Sequence, residues 1–167
     1  MIEVVPPMAI HQARSHFFVE DEGTPDAFAL PNWRGAALER NRYGVHRMPR
    51  QLWEAIRVAV PEATCLVCGY APIGQPEPPD VLVKMDWDAF AADEQNPARV
   101  SPEWVAYDRN GRMAILAGFD VTIVGFPFAV ADEVDQILLR EGKNLRELTR
   151  GDFGHEDQWP FLATVMK

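Results

Sequence analysis

Cysteine and lysine are scarce in this 167-residue chain, which holds two of the first and three of the second. Two cysteines are too few for the disulfide framework of a small secreted fold. Long apolar runs are missing too. No stretch of about 18 apolar residues occurs, so no membrane-spanning helix is expected. The opening Met-Ile-Glu-Val-Val-Pro-Pro has neither a basic start nor a continuous apolar core. That predicts no secretory leader and a cytoplasmic location. No internal repeat is visible, which argues against a solenoid. Positive charge is in deficit: 16 Lys and Arg face 25 Asp and Glu, a formal net charge of −9. Such a chain repels phosphate, so nucleic acid is not an expected partner. G-x-G-x-x-G, the Walker loop, G-x-S-x-G and H-E-x-x-H are all absent. Nucleotide-dependent, serine-hydrolase and zincin chemistry therefore have no support in the sequence.

Apolar residues make up 47% of the chain, enough for an ordinary core. The length fits one domain, residues 1–167. Proline is plentiful, at 14 residues. Residues 71–80, Ala-Pro-Ile-Gly-Gln-Pro-Glu-Pro-Pro-Asp, read as a rigid loop, since proline is excluded from helix interiors and central strands. Residues 33–60 read as a basic helical region. Its clearest helix starts near Pro49, carries Leu52, Trp53, Ile56 and Val60 as one stripe, and stops at Pro61. Residues 64–70 and 81–85 read as short buried strands. Residues 104–108 and 113–117 flank Asn110-Gly111, a type I′ hairpin signal that pairs Val105 with Leu116 and Tyr107 with Ala114. Residues 121–124 add a third strand. An amphipathic helix spans 129–141, with Val130, Val134, Ile137 and Leu138 on its apolar face and Gly142 as its stop. Strands and helices do not alternate regularly. The predicted class is α+β, a mainly antiparallel sheet with a meander in the C-terminal half, packed by two or three helices.

Cys65-Leu-Val-Cys68 matches C-x-x-C, but apolar flanks place it in a strand. Residues three apart in a strand face opposite ways, about 10 Å from each other. Neither a disulfide nor shared metal ligation is then possible, and both thiols are expected to be buried and structural. His11, His16, His46 and His155 are scattered. Asp86-Trp-Asp88 could converge on a cation from an extended strand; the preferred reading is a helix start with Asp88 as cap. Residues 151–157, Gly-Asp-Phe-Gly-His-Glu-Asp, are expected to form a solvated loop. No cofactor or metal is predicted.

Charge is unevenly spread. Residues 33–60 hold Arg34, Arg40, Arg42, Arg47, Arg50 and Arg57 against Glu39 and Glu54. Acids cluster at residues 20–22, 86–94 and 152–157, the last two with Trp87 and Trp159 alongside. Aromatics ringed by acids suit an interface with a basic protein. The candidate partner-binding residues are Asp86, Trp87, Asp88, Asp93 and Glu94, then Asp152, Glu156, Asp157 and Trp159.

Residues 104–112, Trp-Val-Ala-Tyr-Asp-Arg-Asn-Gly-Arg, the strand after them, Asp120-Val-Thr-Ile-Val124 and the helix beyond resemble the bacterial toxin-immunity proteins in layout and charge. The likeness covers roughly the last third of the chain. It implies a small cytoplasmic inhibitor that occludes a toxin domain, and it carries over no site residues. Two other readings stand beside it. One is a small enzyme or ligand-binding domain using Asp86 and Asp88 or His155. The other is a subunit of a larger assembly that docks through residues 33–60.

Overall fold

A computed structural model describes residues 10–19, 27–69, 74–76, 80–96, 103–154 and 160–167. In chain order these form helix α1 (Ile10–Phe17), strand β1 (Trp33–Glu39), helices α2 (Arg40–Tyr43) and α3 (Arg50–Ala59), and strands β2 (Thr64–Gly69) and β3 (Val81–Lys84). Helix α4 (Trp87–Glu94) precedes the meander β4 (Trp104–Asp108), β5 (Ala114–Ala117) and β6 (Val121–Pro127). Helices α5 (Phe128–Leu138), α6 (Leu145–Phe153) and α7 (Pro160–Val165) complete the described chain.

The six strands make one antiparallel sheet, ordered β1-β6-β5-β4-β2-β3. The fold is α+β. Strand alternation sends side chains to two separate cores. On one face Trp104, Ala106, Met113 and Ile115 pack with the apolar sides of α3, α4, α5 and α6. On the other, Val105, Tyr107 and Ala114 meet Phe17 of α1, Phe28, Trp33, and Leu162 and Val165 of α7. Val105 pairs with Leu116 and Tyr107 with Ala114.

Three local expectations need correction. Residues 33–39 are a strand, not the start of a helical region. Ala36, Ala37 and Leu38 are good helix formers, but here they pair with β6, and the small Gly35 is used in the sheet. A Cβ on Gly35 would lie 1.7 Å from the Val124 carbonyl oxygen, so only glycine permits this approach. The hairpin at Asn110-Gly111 is not type I′. Gly111 has φ of 67°, whereas among the described non-glycine residues only Asn32 and Arg47 have positive φ. The loop is wider: Asp108 N–H donates to Met113 O at 3.0 Å, and Gly111 N–H to Asp108 O at 2.8 Å. The Asp108 carboxylate accepts from Arg112 Nε at 3.0 Å, which holds this four-residue form. Residues 151–153 belong to helix α6, not to a loop.

Helix α5 ends as its sequence suggests, through a short 3-10 turn. Gly142 N–H donates to Leu139 O and Lys143 N–H to Leu138 O, at 3.0 and 3.1 Å, the paired bonds of a Schellman stop. Of the proline-rich segment, residues 74–76 and 80 are described and lie outside helix and strand; the rest falls outside the described residues.

The outer edge of β1 is covered by α6. Thr149 Oγ1 accepts from Ala37 N–H at 3.1 Å and Asp152 Oδ2 from Glu39 N–H at 2.9 Å. These two side chains sit three apart on α6 and substitute for the carbonyls of a further strand.

Candidate functional site

The basic segment and two acidic clusters, far apart in sequence, meet in space. All six arginines of residues 33–60 are ion-paired. Arg34 holds Asp132 and Asp135, Arg40 and Arg47 face Glu94, Arg42 holds Asp152, and Arg50 and Arg57 flank Glu54. The positive charge of the segment is thus largely answered within the fold, while Arg42, Arg50 and Arg57 keep side-chain exposures of 55%, 68% and 59%.

The densest of these clusters is built by two turns together with the end of α4 and the start of β4. After α2, a 3-10 turn (Gly44–His46) ends on Arg47, whose φ of 65° is rare for a side chain of this size. That conformation turns the arginine inward, where it is fully buried. Its Nε and Nη2 donate to Glu94 Oε1 at 3.0 and 2.6 Å, and its guanidinium lies 5.6 Å from the Trp104 ring centroid. The Trp104 indole N–H donates to the other Glu94 oxygen. Burial pushes the Arg47 pKa down, and the Glu94 charge opposes that shift.

The same arginine reaches the β5–β6 turn. Arg47 Nη1 donates to Gly118 O at 2.8 Å, Arg40 Nη1 to Phe119 O at 3.4 Å, and Arg40 N–H to Asp120 O at 3.1 Å. Gly118 N–H closes the turn on Val121 O at 2.9 Å. Three successive carbonyls are therefore held by two arginines, while the Phe119 side chain stands 59% exposed at the tip. A cavity of about 260 Å³ lies close by, lined by Arg40, Asn41, Gly44, Val45 and Glu94.

The residues singled out from the sequence are distributed as follows. Asp86, not Asp88, caps α4: its Oδ1 accepts from Ala89 N–H at 2.8 Å. Asp88 is exposed in the first turn, and Asp93 is half-buried near the helix end. The Trp87 ring is stacked against His46, with centroids 3.4 Å apart and planes 12° off parallel, and Arg50 lies 5.9 Å from it. Glu94 and Asp152 turn into the fold, with side-chain exposures of 9% and 1%. Asp152 accepts from Arg42 at 2.7 Å, from the Tyr43 hydroxyl at 3.0 Å and from the β1 edge. Burial, with the Asp152 charge added, pushes the Tyr43 phenol up to about 12. His155, Glu156, Asp157 and Trp159 lie outside the described residues. Cys65 and Cys68 are not bridged to each other and are buried on opposite faces of β2, and burial raises the Cys65 thiol well above its ordinary range.

Sequence reasoning missed Phe119. Its signal is present nonetheless: a large aromatic sits between two predicted strands, where a turn residue is usually polar.

No protein-family model matches this chain, and no curated protein or solved structure matches it either. Among the described residues no group of three or more His, Cys, Asp or Glu is placed to hold a metal ion. No described helix is long and apolar enough to cross a membrane.

Proposed function

We propose that the chain is a binding protein that inhibits a basic protein partner by covering it, as the immunity proteins it resembles do to toxin domains. The observation that carries this reading is the held turn at Phe119. An exposed aromatic on a backbone already fixed by Arg40 and Arg47 loses little conformational freedom on binding. Binding anchors are commonly aromatic and pre-ordered in this way. Asp120 beside it and Asp88 on α4 are exposed. With a net charge of −9 behind them, they favour encounter with a basic surface. Trp87 is a lesser anchor in this reading, because His46 covers one of its faces.

The test is capture of partners from source-cell extract by the tagged protein and by Phe119→Asp, at low and high salt, with melting temperatures measured alongside. The expected result is one stoichiometric basic protein, weakened by salt and lost from Phe119→Asp while the melting temperature is unchanged. Equal capture by both proteins would remove Phe119 from the interface. No stoichiometric partner at either salt concentration would count against the inhibitor reading.

A further inference from the structure

We propose that the cavity beside Arg40 is a binding site for a single carboxylate group, with the Arg40 guanidinium as its clamp. The proposal rests on hydrogen-bond accounting; it shares Arg40 with the held turn but does not require Phe119 to bind a partner. Among the described residues Glu94 is the only acid lining the cavity, and both its oxygens are occupied. One takes two bonds from Arg47 and the other takes the Trp104 indole. Arg40 is left at 3.8 Å from Glu94, and its guanidinium makes one long hydrogen bond among the described residues, 3.4 Å to Phe119 O. Arg34 gives the contrast. At a comparable exposure, 16% against 25%, it donates to two carboxylates at 2.6 and 2.7 Å. A guanidinium offers five N–H donors in a planar fork. A half-buried one that is so poorly served, on the wall of a cavity, matches an incoming planar oxyanion through two parallel bonds. Asn41 lines the same cavity and adds an amide donor. Glu94 in the wall sets the charge limit: a phosphate dianion would face it directly, whereas a carboxylate carries one charge and can turn its apolar side to Val45.

The carboxylate could belong to a small free acid or to the end of a polypeptide, and the test separates these sources. The Arg40 Nε–H resonance of isotopically labelled protein is followed while acetate, chloride and inorganic phosphate are added at constant ionic strength. N-acetyl-glycylglycine is then added as the free acid and as the amide. A saturable shift with acetate that chloride and phosphate do not reproduce is expected. Tighter binding of the peptide acid than of acetate, with none by its amide, assigns a chain terminus; acetate binding as well or better assigns a small acid. Asn41→Asp places a fixed anion on the cavity rim and keeps every Arg40 contact described above. It should weaken acetate binding about tenfold or more. Because Asn41 is exposed, the fold should be retained. Arg40→Gln, followed through the backbone amide resonances of Asn41, Gly44 and Val45 that acetate also shifts in the native protein, should abolish the binding. A linear response equal to that of chloride, or acetate binding unchanged in Asn41→Asp, would overturn the proposal.

Discussion

Arg47 and Glu94 form a buried pair in which a left-handed backbone residue, φ 65°, delivers two N–H bonds to one carboxylate oxygen, at 3.0 and 2.6 Å. Their side chains are 1% and 9% exposed. Removing one partner leaves the other charge buried and unpaired. Glu94→Ala should therefore destabilise the fold by about 3–5 kcal/mol, read as a lower denaturant midpoint. The double variant Arg47→Met, Glu94→Leu should recover part of that loss, because it removes both charges together. A double variant as unstable as Glu94→Ala would show that Arg47 matters chiefly for holding the β5–β6 turn.

The cover over the β1 edge makes a second prediction. Thr149→Val keeps the shape of the side chain and deletes the acceptor for Ala37 N–H, a loss of about 1–3 kcal/mol for an unsatisfied buried donor. Asp152→Ala deletes the acceptor for Glu39 N–H and also frees Arg42 and Tyr43. With both substitutions the strand edge opens, and size-exclusion chromatography should show concentration-dependent oligomers absent from the native protein.

The His46–Trp87 stack ties stability to pH. Desolvation lowers the His46 pKa below its ordinary 6.5, Asp88 opposes this and Arg50 adds to it. Below pH 6.5 the unfolded chain then binds more protons at this residue than the folded one does. The His46 contribution should be full above pH 6.5, should begin to fall below it, and should be lost as the pH drops through the lower folded-state value. Chemical denaturation of the native protein and His46→Gln across pH 5 to 8 isolates the term. Their stability difference should change in the acid part of that range, together with the Trp87 emission.

The thiols are expected to be inert. Both cysteines are fully buried, and burial disfavours the Cys65 thiolate. Neither should react with a thiol-specific chromophoric reagent until the protein unfolds, when both should react. Added zinc should leave the melting temperature unchanged. Rapid labelling of either cysteine in native buffer would contradict the placement of β2 between two covered faces.

Features governed by short-range chemistry were legible from the sequence alone. The α3 stripe of Leu52, Trp53 and Ile56, the Gly142 stop and the pairing of Val105 with Leu116 depend on periodicity and turn residues within a few positions. So does the opposite facing of Cys65 and Cys68, which follows from the two-residue period of a strand. Features that depend on partners distant in the chain were not. Ala36-Ala37-Leu38 suits a helix by propensity, and pairing with β6, where Gly35 lets Val124 approach, makes it a strand. Asn110-Gly111 suits a type I′ turn, and the Asp108–Arg112 contact gives it a wider loop. Glu94 and Asp152 look like surface acids until residues 40–47 fold over them and take up their charge. Propensity and periodicity act between neighbours along the chain, so a sequence displays them. Charge pairing, edge covering and the fixing of Phe119 act between residues that only folding brings together, and there the tertiary structure decided.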